Sequence, residues 1–157
     1  MDQRQFTYCV ESNQRAVRRF LTALCCGDAA LADDLAQDAF IKAWLGRDSL
    51  RDAESFAPWI FRIAHNTFIS HRRTNAVPTE PEAAAERLSG VERADGAFDY
   101  QELYGALGRL SARERSAILL HYMQGYDIKE IAVITGSTAD AVKQQLLRGR
   151  QHLKRLL

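Results

Sequence analysis

Residues 55–73 read SFAPWIFRIAHNTFISHRR, a stretch with several aromatic residues, three arginines and two histidines but no acid. Ser55 is a plausible N-cap, and Pro58 falls in the first turn, where a missing N–H costs nothing. Apolar or small residues recur at helical spacing and would face a core: Phe56, Ile60, Ile63, Ala64 and Thr67. The stretch therefore predicts a helix with one buried side and one basic, aromatic side.

Ile69 does not fit an unbroken helix, because it would fall among Arg62, His65 and Asn66 on the polar side. This misfit predicts a break near Asn66, which could cap a second short helix carrying Arg72 and Arg73. Aromatic faces with arginines and no carboxylates suit unstacked bases and phosphates. A core helix followed by a solvated basic end explains the same residues equally well.

The composition is that of a globular chain able to bury a core, with 157 residues, 46% hydrophobic and 26% charged. Few Pro and Gly residues, and no period-two runs of Val, Ile and Thr, predict mostly helix. No stretch approaches 18 consecutive apolar residues, so neither a transmembrane span nor a secretory signal is expected. Three cysteines, with Cys25 and Cys26 adjacent, fit neither a disulfide framework nor a zinc site and predict reduced thiols in the cytoplasm.

The net charge of +1 hides an uneven distribution along the chain. Residues 143–157 carry five Lys and Arg and no acid, like the acid-free stretch 55–73. Between them, residues 74–99 carry two Arg against six acids. Two basic segments separated by an acidic one predict two local anion-binding surfaces rather than indiscriminate coating of nucleic acid.

Two helices are predicted before the opening stretch, over residues 3–26 and 29–45. The second is apolar on two faces, because Phe40, Ile41 and Trp44 lie opposite its main apolar face and among acids. Such a helix is either sandwiched in a core or shared between a core and a partner. Since a core is the commoner explanation, partner contact is assigned only to the polar residues of this helix.

Residues 74–98 are predicted to be a linker, with a possible short helix at 82–88. Residues 99–157 then predict a helix at 100–110, a helix at 111–124 opened by a Ser111–Glu114 capping box, and a short helix at 128–134. A turn at Gly136 leads to a last helix from 139 to the end, whose start Ser137 or Thr138 would cap.

A short helix, a glycine turn and a longer basic helix form a helix-turn-helix pattern. On the last helix, Gln144 can pair with a base edge, and Arg148 can reach guanine or phosphate. A helical hairpin with a solvated face is the plainer alternative. The basic residues and the turn chemistry favour DNA binding.

The sequence contains few of the residue patterns that are typical of catalytic sites. The four histidines have no metal-ligand spacing with the cysteines, and no phosphate loop or nucleophile elbow is present. Asp33, Asp34 and Asp38 could form a metal site, but acids on the surface of a helix are far commoner. The sequence predicts a protein that is not an enzyme and has no cofactor or metal.

Three motifs occur in order: DDLAQDAF at 33–40, FAPWIFRIAHN at 56–66, and a third that runs from LSARE at 110–114 through GYDIKEIA at 125–132 to LLRGR at 146–150. Together they closely resemble a small bacterial RNA polymerase sigma factor of the extracytoplasmic-function type. The resemblance implies an all-α fold of two small helical domains joined by a flexible acidic linker, the C-terminal one a helix-turn-helix. The implied boundaries are 1–73, 74–98 and 99–157.

The resemblance implies a subunit that binds core RNA polymerase, directs promoter-specific initiation and is controlled by an anti-sigma factor. It places the contacts to the polymerase clamp helices at Asp33, Asp34, Gln37 and Asp38. It places capture of the melted minus-ten element at Trp59, Arg62, His65, Asn66, Ser70, Arg72 and Arg73. It places recognition of the duplex minus-thirty-five element at Ser137, Thr138, Lys143, Gln144, Gln145, Arg148 and Arg150.

The last helix departs from the family pattern. Gln144-Gln145 replaces a small residue and an arginine, and Asp140-Ala141 replaces a frequent Gly-Thr pair. Phosphate anchoring at position 145 and base preference are therefore open. Two alternatives remain: a sigma-mimic adaptor that binds an anti-sigma protein but not DNA, and an ordinary helix-turn-helix regulator, which would leave residues 33–73 without a purpose.

Overall fold

The computed structural model describes residues 1–75 and 100–157 of the chain, which form seven α-helices and no strand. These are α1 (Gln3–Leu24), α2 (Ala29–Leu45), α3 (Phe56–Thr74), α4 (Gln101–Gly108), α5 (Ala112–Tyr122), α6 (Ile128–Thr135) and α7 (Ala139–Leu156). The all-α prediction is confirmed. The predicted short helix at 82–88, and the predicted linker from residue 76 onward, lie outside the described residues.

Local capping chemistry sets the helix starts. The Ser111–Glu114 capping box opens α5 as predicted, and Thr138 is the residue that caps α7, its Oγ1 accepting from the Ala141 N–H at 3.1 Å. Gly136 ends α6 in the left-handed conformation, with φ of 68°. α1 also begins with a capping box that was not predicted, formed by Asp2 and Gln5.

The N-terminal half packs α1, α2 and α3 against one another through small and aromatic residues. Ala36 and Ala39 of α2 are fully buried, so their small side chains let α2 lie close to its neighbours. Phe20 of α1 meets Phe61 of α3 edge to face, with ring centroids 5.3 Å apart. The apolar side predicted for α3 is therefore part of the core.

α3 is one unbroken helix, so the predicted break near Asn66 is wrong. The opposite side of α3 is not solvated along its whole length, because α6 of the C-terminal half packs against it. Ile69 is half-buried at this contact, and Asn66 remains exposed in the middle of the helix. Ile69 therefore lies on the polar side of α3 because that side packs against a second helix, and not because the chain turns there.

Arg115 of α5 joins the two halves from a buried position, with 4% of its surface exposed. Its guanidinium donates to the carbonyls of Leu107 at 2.8 Å and Leu110 at 3.2 Å in its own half, and to Leu24 at 2.6 Å in α1. Leu24 and Leu107 lie in the last turns of α1 and α4, where the helix dipoles place partial negative charge. Two helix ends therefore hold this buried cation, which forms no ion pair with a carboxylate in the described part of the chain.

His65 is the second polar residue buried between the halves, with 4% of its surface exposed. It was predicted to lie on the polar side of α3 with Arg62, and in this structure it lies against the C-terminal half instead. Its Nδ1 has no hydrogen-bond partner in the described part of the chain. Burial, reinforced by the nearby Arg113 charge, lowers the pKa of His65 to about 4. The imidazole is thus held in its neutral form at neutral pH.

Removing the Arg115 donors tests their role in stability. We expect Arg115→Ala to lower the free energy of unfolding by at least about 3 kcal/mol, because several buried carbonyls lose a charged donor at once. Arg109→Ala, at an exposed arginine in the same half, should change it by less than about 0.5 kcal/mol. Urea denaturation followed by circular dichroism measures both values. Equal losses would show that Arg115 contributes no more than a surface arginine.

The buried His65 should make stability fall in acid. The unfolded state takes up a proton near pH 6.5, whereas the folded state resists it until about pH 4. Stability should therefore fall by about 3 kcal/mol as the pH drops through this window, and be fully present above it. His65→Gln should flatten the pH dependence of the urea midpoint between pH 6.5 and 4. An NMR titration that placed the His65 pKa near 6.5 would contradict the expectation.

Candidate partner and nucleic-acid interfaces

The exposed side of α2 carries the acids predicted to contact a polymerase. Asp33 is paired with Arg18 of α1, and Asp38 lies 3.2 Å from Lys42 on its own helix. Asp34 and Gln37 are exposed, and their side chains make no hydrogen bond or ion pair within residues 1–75 and 100–157. Asp34 and Gln37 are therefore the two predicted residues whose side chains remain available to a partner.

Two apolar residues that were not predicted to contact a partner extend this surface. Ile41 and Leu45 are 59% and 74% exposed, whereas Phe40 and Trp44 beside them are half-buried. Positions 34, 38, 41 and 45 follow helical spacing, so Ile41 and Leu45 continue the row that Asp34 and Asp38 begin. The signal was present in the second apolar face of this helix. We define the α2 surface as Asp34, Gln37, Asp38, Ile41 and Leu45.

A stripe of predicted DNA-contacting residues follows one side of α3. Its members are spaced by three or four positions and extend along about 21 Å of helix. The α3 stripe consists of Trp59, Arg62, Asn66, Ser70 and Arg73. Arg62, Asn66 and Arg73 are exposed, Ser70 is half-buried, and Trp59 rests half-buried against Phe56. Unlike these residues, His65 is not available on the surface.

Arg72 lies beside the stripe, with its guanidinium 5.8 Å from the centroid of the Phe68 ring. It is exposed, and together with Arg73 it places basic residues in the last turn of α3, where cations favour the helix dipole. The basic end predicted from the sequence is thus a continuous part of the helix rather than a separate short one.

The helix-turn-helix comprises α6, the Gly136 turn and α7. Gly149 lies against α5, where an added Cβ would meet Ile118 Cγ1 at 2.7 Å. Val142 and Leu146 are buried on the same side of α7. The opposite side of α7 consequently faces outward along most of its length.

Basic and amide side chains occupy the outer side of α7. Lys143, Gln144 and Arg148 are exposed there, and Arg150 is hydrogen-bonded to the Tyr122 hydroxyl at 3.0 Å. Residues 143–157 carry five Lys and Arg and no acid, so this part of α7 has an excess of positive charge. A helix that presents an amide and cations in this way has the chemistry to read a major groove.

Gln145 and Ser137 point elsewhere, into a small cleft between the halves. This cleft has a volume of about 100 Å³. It is lined by His65, Asn66 and Ile69 of α3, by Arg113 of α5, and by Thr135, Ser137 and Gln145 of the helix-turn-helix. The structure thus brings predicted minus-ten and minus-thirty-five residues together, while the α2 surface is a separate site.

The described residues show no other chemical centre. They contain no group of three or more His, Cys, Asp or Glu residues that could hold a metal ion. All three cysteines are free, and burial raises the pKa of the Cys25 thiol to about 12, so it is a poor nucleophile. No helix in residues 1–75 and 100–157 combines the length and apolarity needed to span a bilayer.

Two family models match the chain. Sigma-70 region 2 matches residues 9–77, and Sigma-70 region 4 matches residues 100–153. Among curated relatives, the ECF RNA polymerase sigma factor SigL of Mycobacterium tuberculosis is 30% identical over 125 residues, which cover 76% of this chain and 71% of SigL. The first match contains most of α1 with α2 and α3, and the second contains α4, α5, α6 and most of α7.

Solved structures agree with these matches. The sigma factor RpoE, crystallised with the anti-sigma factor NepR from Bartonella quintana, has a TM-score of 0.78 and 28% identity, covering 96% of this chain and 95% of RpoE. CnrH, in complex with the cytosolic domain of CnrY, has a TM-score of 0.72 and 25% identity, covering 99% of this chain and 88% of CnrH. From its helices, its two matched regions and these relatives, the chain belongs to the sigma-70 family, within the extracytoplasmic-function (ECF) type.

Proposed function

We propose that the chain works as a cytoplasmic subunit that recruits core RNA polymerase to a subset of promoters through three separate surfaces. The observation that carries this proposal is the presence, on one all-α chain, of the α2 surface, the α3 stripe and the outer side of α7. Each has a different chemistry, so each suits a different partner. The three motifs that identify the family coincide with these helices.

The α2 surface is proposed to dock on the clamp helices of the polymerase. Asp34 and Gln37 are exposed polar groups, and Ile41 and Leu45 add apolar area beside them. Protein interfaces of this kind combine an apolar centre with a polar rim, and exposed apolar residues in a row are uncommon without a partner. A basic partner with apolar patches would match this surface.

The two basic surfaces are proposed to bind promoter DNA in different states. Single strands are captured by stacking and by cations along the backbone, which suits Trp59 with Arg62 and Arg73 on the α3 stripe. Duplex DNA is read by a helix in the major groove, which suits Gln144 and Arg148 on α7. The Thr138 cap and the turn before it resemble the start of a recognition helix.

An anti-sigma factor is the proposed regulator. RpoE and CnrH are both seen in complexes with a second protein, which for RpoE is the anti-sigma factor NepR. We propose that a regulator of this type covers the α2 surface of the present chain and so prevents docking on the polymerase.

The alternative function is a sigma-mimic adaptor, which the Gln144-Gln145 departure favours. A mimic would bind the anti-sigma protein but would lack phosphate contacts. The exposed cations Lys143, Arg148 and Arg150 on α7 are suited to phosphate contacts, which argues against a mimic. If these three residues contact phosphates, a plot of log affinity against log salt should have a slope of about −3. A mimic would show no such slope.

Run-off transcription with core polymerase tests the proposed function. Genomic fragments retained by the chain and core enzyme together are used as templates, with core enzyme alone as the control. Discrete transcripts that depend on the chain are expected. If no fragment supports initiation and the chain also has no affinity for core polymerase, the proposal is wrong.

If α7 and the α2 surface bind different partners, a substitution in one of them should weaken binding of its own partner only. Arg148→Ala should weaken binding of duplex minus-thirty-five DNA about tenfold and reduce the salt slope by about 1, with affinity for core polymerase unchanged. Asp34→Ala combined with Gln37→Ala should weaken binding of core polymerase and leave the affinity for duplex DNA unchanged. Fluorescence anisotropy with labelled duplex and with labelled clamp helices measures the two affinities.

Arg4→Ala is the control for loss of an exposed arginine, since Arg4 lies on α1 outside all three surfaces. Its two affinities should match those of the wild type. If Arg148→Ala and the α2 double variant lose the same activity to the same extent, the assignment of two independent surfaces fails.

A further inference from the structure

The small cleft beside α3 is lined almost entirely by polar side chains. Of the seven described residues that line it, six are polar and none is an acid. Arg113 carries the one permanent charge among these seven, and Asn66 and Gln145 contribute side-chain amides. Because the charge of Arg113 has no carboxylate among the lining residues, the cavity favours a negatively charged ligand over a cation or an apolar molecule.

Several donors in this lining are not used by the protein itself. The guanidinium of Arg113 and the amides of Asn66 and Gln145 form no hydrogen bond or ion pair within residues 1–75 and 100–157. The Ser137 hydroxyl accepts from Thr135 Oγ1 at 3.1 Å, which leaves its own hydrogen free to donate. Donors that converge on one cavity without acceptors are typical of an anion-binding site.

His65 is the most deeply buried residue of the lining and adds an independent indication of a ligand. Its side chain is 4% exposed, and its Nδ1 has no hydrogen-bond partner in the part of the chain that the structure describes. A buried polar atom without a partner costs free energy, so such a residue in the wall of a cavity indicates a group that completes it. Burial and the Arg113 charge lower the pKa of His65 to about 4, so the neutral ring carries one N–H that can donate.

The dimensions of the cleft limit the size of its ligand. A volume of about 100 Å³ has room for about three water molecules. A tetrahedral oxyanion such as sulfate or phosphate is of this size, whereas a phosphodiester of DNA carries flanking sugars that do not fit. Asn66 and Arg113 are exposed at the rim, while Ser137 and Gln145 are half-buried, so a small ion can enter from solvent.

Ordered water is the plainer occupant of a polar cavity, since water can also bridge these groups. The charge of Arg113 distinguishes the two ligands, because an anion neutralises it and a water molecule does not. The same charge opposes a proton on His65, and a bound anion would offset that opposition. An anion therefore satisfies both residues, whereas water satisfies only their hydrogen bonds.

We propose that the cleft is a binding site for a small tetrahedral oxyanion of the sulfate or phosphate class. Arg113 supplies the charge that attracts the ion, and His65 closes the inner end of the site. Asn66, Ser137 and Gln145 donate to the oxygens of the ion. Ser137 and Gln145, which point away from the outer side of α7, thus have a ligand other than promoter DNA. The site goes beyond the proposed function, because it needs neither polymerase nor DNA.

NMR spectroscopy of the full chain, titrated with sodium sulfate, tests the site. Sodium chloride keeps the ionic strength constant, so that screening does not change along the titration. The His65 ring signals and the Arg113 side-chain signal should shift together and saturate with a Kd of about 1 mM or tighter. A linear drift without saturation, or saturable shifts confined to Lys143 and Arg148 on α7, would overturn the proposal.

Two variants with matched controls locate the ion. Arg113→Gln removes the charge and should weaken sulfate binding at least about tenfold, whereas Arg109→Gln makes the same change at an exposed arginine outside the cleft and should have no effect. Gln145→Leu removes an amide and should weaken binding by about three- to tenfold. Its control is Gln151→Leu, at an exposed glutamine of the same helix. If the cleft variants bind sulfate as tightly as their controls, the ion does not lie in the cleft.

Protonation of His65 gives a readout that a purely structural role of these residues would not change. Arg113 of α5 is the charged group that acts on this ring, and the cleft residues of α3, α6 and α7 carry no permanent charge. A bound anion favours the imidazolium, so the pKa of His65 should rise from about 4 in saturating sulfate and stay there in chloride of the same ionic strength. An unchanged pKa in sulfate would reject the site.

Duplex DNA distinguishes a free ion from a backbone phosphate as the ligand. A fragment that the chain and core polymerase transcribe replaces sulfate in the same titration, and its shifts should appear on the outer side of α7. If DNA instead shifts His65 and Arg113 as sulfate does, the cleft takes backbone phosphates and the proposal of a free ion is wrong. If no fragment is transcribed, the proposed function fails, whereas the sulfate titration still decides whether the anion site exists.

Discussion

The buried guanidinium of Arg115 forms no ion pair with a carboxylate within residues 1–75 and 100–157, and the relative positions of three helices depend on its hydrogen bonds to carbonyls. The carbonyls that accept from it lie at the C-terminal ends of α1 and α4 and in the loop after α4. Each helix end supplies partial negative charge and carbonyl oxygens that lack a partner in the regular helical hydrogen-bond pattern, so the guanidinium and the helix ends stabilise one another. α5 is positioned by this contact, and α7, which carries the proposed duplex reader, is positioned by α5.

Much of the fold could be predicted because its causes are local. Capping boxes, the Gly136 turn and apolar spacing are contained within a few neighbouring residues, and the structure has them close to where they were expected. The break near Asn66 was wrong for the opposite reason. It assumed that a helix has one buried side, whereas the side carrying Ile69 and His65 is covered by a helix more than 50 positions later in the chain.

The candidate surfaces were predictable to different degrees. Acids on α2 and cations on α7 are exposed because charged side chains stay in water, so their identity already indicated their position. Ile41 and Leu45 could not be separated from Phe40 and Trp44 in this way, since all four are large and apolar. Only the packing of α1 and α3 on α2 decides which of them are covered.

Gly149 carries a consequence for how such a chain can diversify. The backbone of α7 lies almost directly on Ile118, so the depth and pitch of this helix are determined by its inner face alone. Residues 143, 144, 147 and 148 take no part in that seating and can be exchanged without moving the helix. Promoter preference is thus free to change by substitutions on one face, while a Cβ at position 149 would meet the Ile118 side chain and force either that side chain or α7 to shift.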